Sequence, residues 1–279
     1  MQNTTPELEE DKSSSPPFAT TREIKELLNL IEKKSKTVAM LAPSFPVDFS
    51  YPEIVGMLKR LGFKYVVEVA AGAIETNRQL HALLKLHPHK RYITNPCASI
   101  VRLVKNKYPD LVPFLTPIDS PMIATAKIVA KKYPNYKKVY IGPCLVKKIE
   151  AREDHPELKI LVLTYKEIAE VFKIKNISGK KSDKSSSFDI VGKETRLYPI
   201  SGGLAQSSGL TKKLTDPEYD VISGLKLAEK AIQEFLDKPE LKVLDILFCE
   251  GGCINGAGVI TKDSLDRRRQ KIITYWNRE

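Results

Sequence analysis

Residues 243–258 read VLDILFCEGGCINGAG. The first six residues are apolar except Asp245, too short a run for a helix, and they end in a Cys-x-x-x-Cys pair that encloses two glycines. That is the pattern of a buried strand, Val243–Phe248, running into a tight loop. Four more segments repeat it. Thr37–Leu41 leads into Ala42-Pro43-Ser44, Tyr65–Val69 into Ala70-Ala71-Gly72, Arg91–Thr94 into Asn95-Pro96-Cys97, and Lys138–Ile141 into Gly142-Pro143-Cys144. Amphipathic stretches follow several of them, including Tyr51–Leu61, Ile100–Lys107 and Met122–Lys132. Short apolar runs alternating with helical ones predict an α/β protein built on mainly parallel sheets flanked by helices. In such sheets ligands bind beyond the carboxyl ends of the strands. All four cysteines fall at those ends.

The flanks are simpler. Residues 1–20 hold four acids, one lysine, three prolines and a serine triplet with almost nothing apolar, the composition of a disordered tail. Thr21–Lys34 spaces Ile24, Leu27, Leu28 and Ile31 for an amphipathic helix capped by Thr20 or Thr21. The stretch KIKNISGKKSDKSSS (173–187) has five lysines and no periodicity and reads as an exposed connector between two lobes. The expected organisation is therefore a tail, 1–20, and one domain, 21–279.

Of the 279 residues 42% are hydrophobic and 28% charged, enough for a sizeable core. No run approaches the roughly 18 apolar residues of a membrane span, and the N-terminus has no hydrophobic signal region, so a soluble cytoplasmic protein is expected. Lys plus Arg number 45 against 34 Asp plus Glu, a formal charge of +11 that favours an acidic partner. No basic, aromatic-interleaved stripe suggests nucleic acid. The glycines of 251–258 do not follow the order of a dinucleotide-binding loop.

Four cysteines exclude a disulfide-stapled mini-domain. Their spacing suits paired zinc knuckles poorly. Burial as small apolar residues accounts for the thiols but not for Pro96, Pro143, Gly251 and Gly252 beside them. Such residues shape loops in which backbone approaches a bulky ligand, and four thiolates from three loops match a 4Fe–4S cluster.

These segments resemble the signatures of the FeFe hydrogenase catalytic domain. TNPCAS (94–99) resembles the first, GPCLVKKIEA (142–151) the second and FCEGGCINGAG (248–258) the third, within a similarity over about residues 37–260. LAPS (41–44), SPM (120–122) and SGGLA (201–205) stand at family-like places. The resemblance implies a two-lobed fold with the metal cluster between the lobes. It implies a 4Fe–4S cluster on Cys97, Cys144, Cys249 and Cys253, with Cys253 bridging to a two-iron subcluster carrying CO, cyanide and a dithiolate amine. Lys147 and Pro43-Ser44 would hold the cyanides, Gly202 and Gly203 would form the roof, and Ser120 would keep a proton-relay serine. The activity implied is reversible H2 oxidation and proton reduction. Electrons would pass to an acidic ferredoxin or similar carrier, and maturation proteins would supply the two-iron unit in an anaerobic host.

Several positions depart from the family pattern. Pro96 stands where catalytic members have a proton-donating cysteine. Gly142 and Leu247 replace methionines, and Gln79-Leu80-His81-Ala82-Leu83 lacks the relay acids, leaving His81 or Glu75 as substitutes. These departures resemble sensory and divergent branches, which makes a low-turnover H2 sensor the second reading. A 4Fe–4S scaffold or electron-transfer protein of the cluster-assembly type is the third.

Overall fold

A computed structural model of the chain describes residues 21–278; the expected tail, 1–20, lies outside them. In chain order the elements are α1 (Arg22–Glu32), β1 (Thr37–Leu41), α2 (Glu53–Leu61), β2 (Tyr65–Glu68), α3 (Ala70–Leu86), β3 (Tyr92–Ile93), α4 (Ala98–Lys107) and α5 (Pro121–Lys132). There follow β4 (Lys137–Gly142), α6 (Val146–Ile149), β5 (Ile160–Thr164), α7 (Tyr165–Ile174), α8 (Gly203–Ser208), β6 (Tyr219–Ser223), α9 (Leu225–Gln233), β7 (Val243–Leu247) and α10 (Leu265–Trp276).

Two wholly parallel sheets result. The larger runs β2-β1-β4-β5 and the smaller β3-β7-β6. Central β1 is buried at all five positions, as a parallel strand covered on both faces requires, and its TVAML sequence has no polar residue after Thr37. From β1 the chain winds outward to β2 and then returns to β4 on the other side. The sheet therefore has a topological switch point between β1 and β4, where the loops Ala42-Pro43-Ser44 and Pro143-Cys144 emerge. In the smaller sheet, Cys97 follows β3 and Cys249 follows β7, which are adjacent and parallel. One core packs around the larger sheet and a second, with Ile93, Ile100, Leu244, Ile246 and Phe235, around the smaller.

The helix starts carry their sequence logic. Thr21 caps α1 by accepting from Ile24 N, and a capping box of Thr164 and Glu167 opens α7. Two strands escape the sequence pattern. Buried β5 is separated from the charged EARED turn only by the segment HPELK (155–159), and β6 is half-buried throughout, so neither shows a clean period. The lysine- and serine-rich stretch 173–187 begins in the last two residues of α7 and is mostly exposed, but Arg60 holds Ser178 O and Asp183, and Lys59 holds Ser187 O. Asp183 is buried against Gly56 of α2 and takes two hydrogen bonds from Arg60, at 3.0 and 2.8 Å. Beyond it Ile190 bridges to Val67 of the larger sheet, so both ends of the stretch stay on that lobe. Among the described residues no helix is long and apolar enough to cross a membrane.

Candidate metal centre

The carboxyl ends of the two sheets enclose one cavity. It holds about 80 Å³ of space open to the centre of a water-sized sphere, several times what a single water needs. The larger sheet contributes Ala42, Pro43, Ser44, Pro143, Cys144 and Lys147, and the smaller contributes Pro96, Cys97, Asp245, Leu247 and Cys253. Cys249 is not on the wall. It sits near enough that the charges of Cys97 and Cys144 act on it, and Cys253 feels all three other cysteines. All four are free thiols. Burial first, then this mutual repulsion, pushes the Cys249 thiol up to about 11 and Cys253 well above its ordinary value. Burial likewise raises Cys97, against the pull of the Phe248 and Ile100 backbone N–H groups. The Ile100 group belongs to the first turn of α4, which Cys97 precedes as N-cap residue.

Backbone geometry holds the three cysteine segments together. Gly258 N donates to Pro143 O at 2.8 Å, tying the third segment to the second. Gly252 has φ +103°, and a Cβ there would lie 2.5 Å from Pro199 O, so the close approach of its chain to 199–201 needs glycine. Among the described residues no three His, Cys, Asp or Glu side chains close on a single ion. Cys97, Cys144 and Cys253 line the cavity and Cys249 lies within range of their charges, four thiols that match the donor set of a 4Fe–4S cluster.

Lys147 is the cation of the site, 8% exposed. Its ammonium donates to Pro96 O at 3.1 Å and lies 2.5 Å from Glu150 Oε2, itself on a residue 7% exposed. Glu150 Oε2 has no other polar partner, so the two buried charges are paired with each other. Burial alone would lower the Lys147 ammonium; the Glu150 carboxylate, with smaller contributions from Cys144 and Cys97, reverses this and leaves it raised. An ammonium has three N–H groups, and these two contacts leave one for an occupant of the cavity. Ser44 Oγ and Tyr165 Oη are 2.6 Å apart, with Tyr165 also donating to Ala42 O at 3.2 Å, so the hydroxyl of Ser44 is fixed at the wall.

The remaining sequence candidates distribute differently. Gly202 and Gly203, expected in the roof, do not line the cavity; Tyr198, Pro199 and Leu204 do. Ser120 also stands elsewhere. Its hydroxyl accepts from Ile123 N as the cap of α5, and the residue lines a separate cleft with Glu150. His81 faces Ser208 O at 2.7 Å and Lys213, and Gln79 bridges Glu75 and Asp119, so neither neighbours the cavity. Of the two methionine positions that the sequence lacks, Leu247 lines the wall as an aliphatic substitute, and Met122 supplies a thioether from α5.

The sequence pattern assigns no role to Asp245. It is 4% exposed, lines the cavity, and accepts one hydrogen bond from Ala205 N in the first turn of α8. Burial raises its carboxyl to about 6 against that hydrogen bond. The signal was present, since Asp245 is the lone acid in an apolar strand.

Residues 35–257 match the family described as iron only hydrogenase large subunit, C-terminal domain. The chain belongs to this family. The computed fold agrees, superposing on the [FeFe]-hydrogenase HydA1 from Chlamydomonas reinhardtii with a TM-score of 0.67 over 90% of this chain and 88% of that one, at 18% identity. Curated relatives in the family's neighbourhood carry another name. A probable cytosolic Fe-S cluster assembly factor, oxy-4 of Caenorhabditis elegans, is 22% identical over 79% of this chain. The cytosolic Fe-S cluster assembly factor NAR1 of Kluyveromyces lactis is 25% identical over 60% of it. The chain spans 60% and 39% of the lengths of these two relatives. The iron-only hydrogenase fold and an iron–sulfur chemistry are thus common ground.

Proposed function

We propose that this chain is an FeFe hydrogenase: Cys97, Cys144, Cys249 and Cys253 hold a 4Fe–4S cluster, and the cavity beside it takes a two-iron unit with CO, cyanide and a dithiolate amine. The observation that carries the reading is Lys147. A buried ammonium lining a largely apolar cavity costs free energy that one carboxylate offsets only in part, whereas small anionic ligands would accept its remaining N–H. When bound, the two-iron unit supplies the metal and amine base at which H2 is formed or split.

The protein's share is placement and exclusion. Ser44, held by Tyr165, presents its hydroxyl on the opposite wall from the smaller sheet, and Ala42, Val69, Met122, Leu204 and Leu247 keep water from the space. The excess of basic residues, larger still once the four acids of 1–20 are set aside, would attract an acidic ferredoxin or similar electron carrier. Loading would require maturation proteins, and the expected location is the cytoplasm.

A second reading has its own observation. Pro96 lines the cavity at the position where a proton donor would stand, and its side chain can neither give nor take a proton. Together with relatives named as Fe-S cluster assembly factors, this favours a 4Fe–4S scaffold or electron-transfer protein, or a low-turnover H2 sensor. Infrared spectroscopy of anaerobically reconstituted protein supplied with the synthetic two-iron cofactor separates the scaffold from the other two, and H2 turnover then separates hydrogenase from sensor. Protein-bound CO and cyanide bands, lost in Lys147→Ala, are expected for the first. A protein with iron and sulfide for one cubane but without those bands is the scaffold.

A further inference from the structure

Beyond the cavity lies a second hollow of about 120 Å³, lined by Asn95, Ser120, Glu150, Asp154 and His155 among others. Its chemistry is the reverse of the first. Where the cavity wall is mostly apolar, this cleft carries hydroxyl, amide, carboxylate and imidazole groups, and it has room for several waters. Glu150 and Ser120 are buried at its inner end, while Asp154 and His155 are partly exposed. Ala98 lines both hollows, and the Lys147–Glu150 contact lies between them, with Lys147 on the cavity side and Glu150 on the cleft side.

Two details make Glu150 more than a counter-ion. Its Oε2 is buried 2.5 Å from the Lys147 ammonium with no other polar partner, so the two groups are close enough to exchange a proton directly. It is also the buried acid on the cleft side of that wall. The other charged groups of the cleft are already committed to each other. Arg102 of α4 pairs with Glu153 at 3.0 Å and Asp154 at 2.9 Å, Lys105 reaches Asp154 at 3.8 Å, and His155 stands 3.5 Å from Glu157.

We propose that Glu150 relays protons between the polar cleft and Lys147 at the cavity wall, a route that takes the place of a donor at Pro96; this rests on the reading that the cavity holds a hydrogen-converting two-iron unit. Inward, a hydronium reaching the cleft from solvent gives its proton to Glu150 Oε2, forming O–H, neutralising the carboxylate and leaving water. Lys147 gives one N–H proton to a base in the cavity and takes the Glu150 proton, which restores both groups. One proton enters for each that leaves, and no electron moves. The order of events is built into the pair. Burial opposes the charge on Lys147 and the Glu150 carboxylate sustains it, so protonating Glu150 makes Lys147 a better donor when its replacement proton is at hand.

Two measurements test the relay separately from the function. In protein carrying only the cubane cluster, the midpoint potential is followed from pH 5 to pH 9 in wild type, Glu150→Gln and Glu150→Asp, each checked for equal iron content. The wild-type potential is expected to move with pH and that of Glu150→Gln to stay flat, with Glu150→Asp following the wild type. Identical curves for wild type and Glu150→Gln overturn the relay. In protein supplied with the two-iron cofactor, Glu150→Gln is expected to lose about 100-fold or more in H2 evolution. Glu150→Asp is expected to recover part of that rate, with an altered solvent isotope effect. A Glu150→Gln rate within twofold of wild type and an unchanged pH profile also overturn it. If neither protein evolves H2, the hydrogenase reading fails while the potentials still judge Glu150. Should Glu150→Gln not load iron, Glu150→Met, which also lacks the carboxyl group, takes its place in both comparisons, and its equality with wild type at every pH overturns the relay.

Discussion

Replacing Asp245 with Asn is expected to stabilise the protein at pH 8 relative to pH 4. In the folded chain burial raises this carboxyl from its ordinary 3.8 to about 6. Between those values the native state binds more protons than the unfolded state, so the unfolding free energy falls as pH rises through the window. Asp245 therefore contributes most below pH 3.8, loses that contribution by about pH 6, and is a constant burden above it. At 1.36 kcal/mol per unit the burden is ~3 kcal/mol, a ceiling because relaxation and water entry reduce it. Asn keeps an oxygen to accept the Ala205 N–H and cannot ionise, so it removes the pH-dependent part alone. For a chain of this size each kcal/mol is worth roughly 2–4 °C, which gives a ceiling of about 6–12 °C on the gain from pH 4 to pH 8. Thermal unfolding of reduced, metal-free wild type and Asp245→Asn across that range measures it. Comparison at each pH cancels carboxylates of opposite sign, such as Asp183, which Arg60 holds below its ordinary value. A difference in Tm that is the same at pH 4 and pH 8 refutes the argument, since it would mean that Asp245 is not desolvated.

Other outcomes follow from the same contacts. Lys147→Met leaves Glu150 buried without its cation and is expected to cost about 3–5 kcal/mol in urea unfolding near neutral pH. Adding Glu150→Gln is expected to recover most of that loss, and a single-variant cost under about 1 kcal/mol would contradict the pairing. Gly203→Ala places a Cβ 1.8 Å from Leu197 O, backbone against backbone; a loss of roughly 3 kcal/mol or more and a lower iron content on reconstitution are expected. Arg60→Ala strips Asp183 of both its guanidinium hydrogen bonds, and faster proteolysis within 177–187 is the expected sign that the tether is cut. Unchanged cleavage there would place the anchoring elsewhere.

What the sequence reveals depends on which forces are local. Thr37–Leu41 is legible because a strand covered on both faces must be apolar throughout, and Thr21 because a cap is a contact over three residues. The cysteine loops are legible for a similar reason: a thiol, a proline and glycines within a few residues already define a tight turn at a strand end. Convergence of those loops is a property of topology, readable only through the switch-point rule that the order β2-β1-β4-β5 then satisfies. Side-chain roles that depend on the far wall are not legible. Ser120 reads as a relay group from its neighbours Pro121 and Met122, yet Met122 turns to the cavity while Ser120 caps α5 and faces the cleft. Glu150 reads as one more acid in a charged turn until α4 and the segment leading into α5 form a cleft beside it. Asp245 shows the limit most clearly. Alternation along Val243–Leu247 places Leu244 and Ile246 in the smaller core, so Asp245 must face the other way, toward Ala205 and the cavity. A strand with period two thus announces the direction of its odd residue, but not what stands opposite. Only the second lobe decides whether that acid meets solvent, a helix end or a metal cavity.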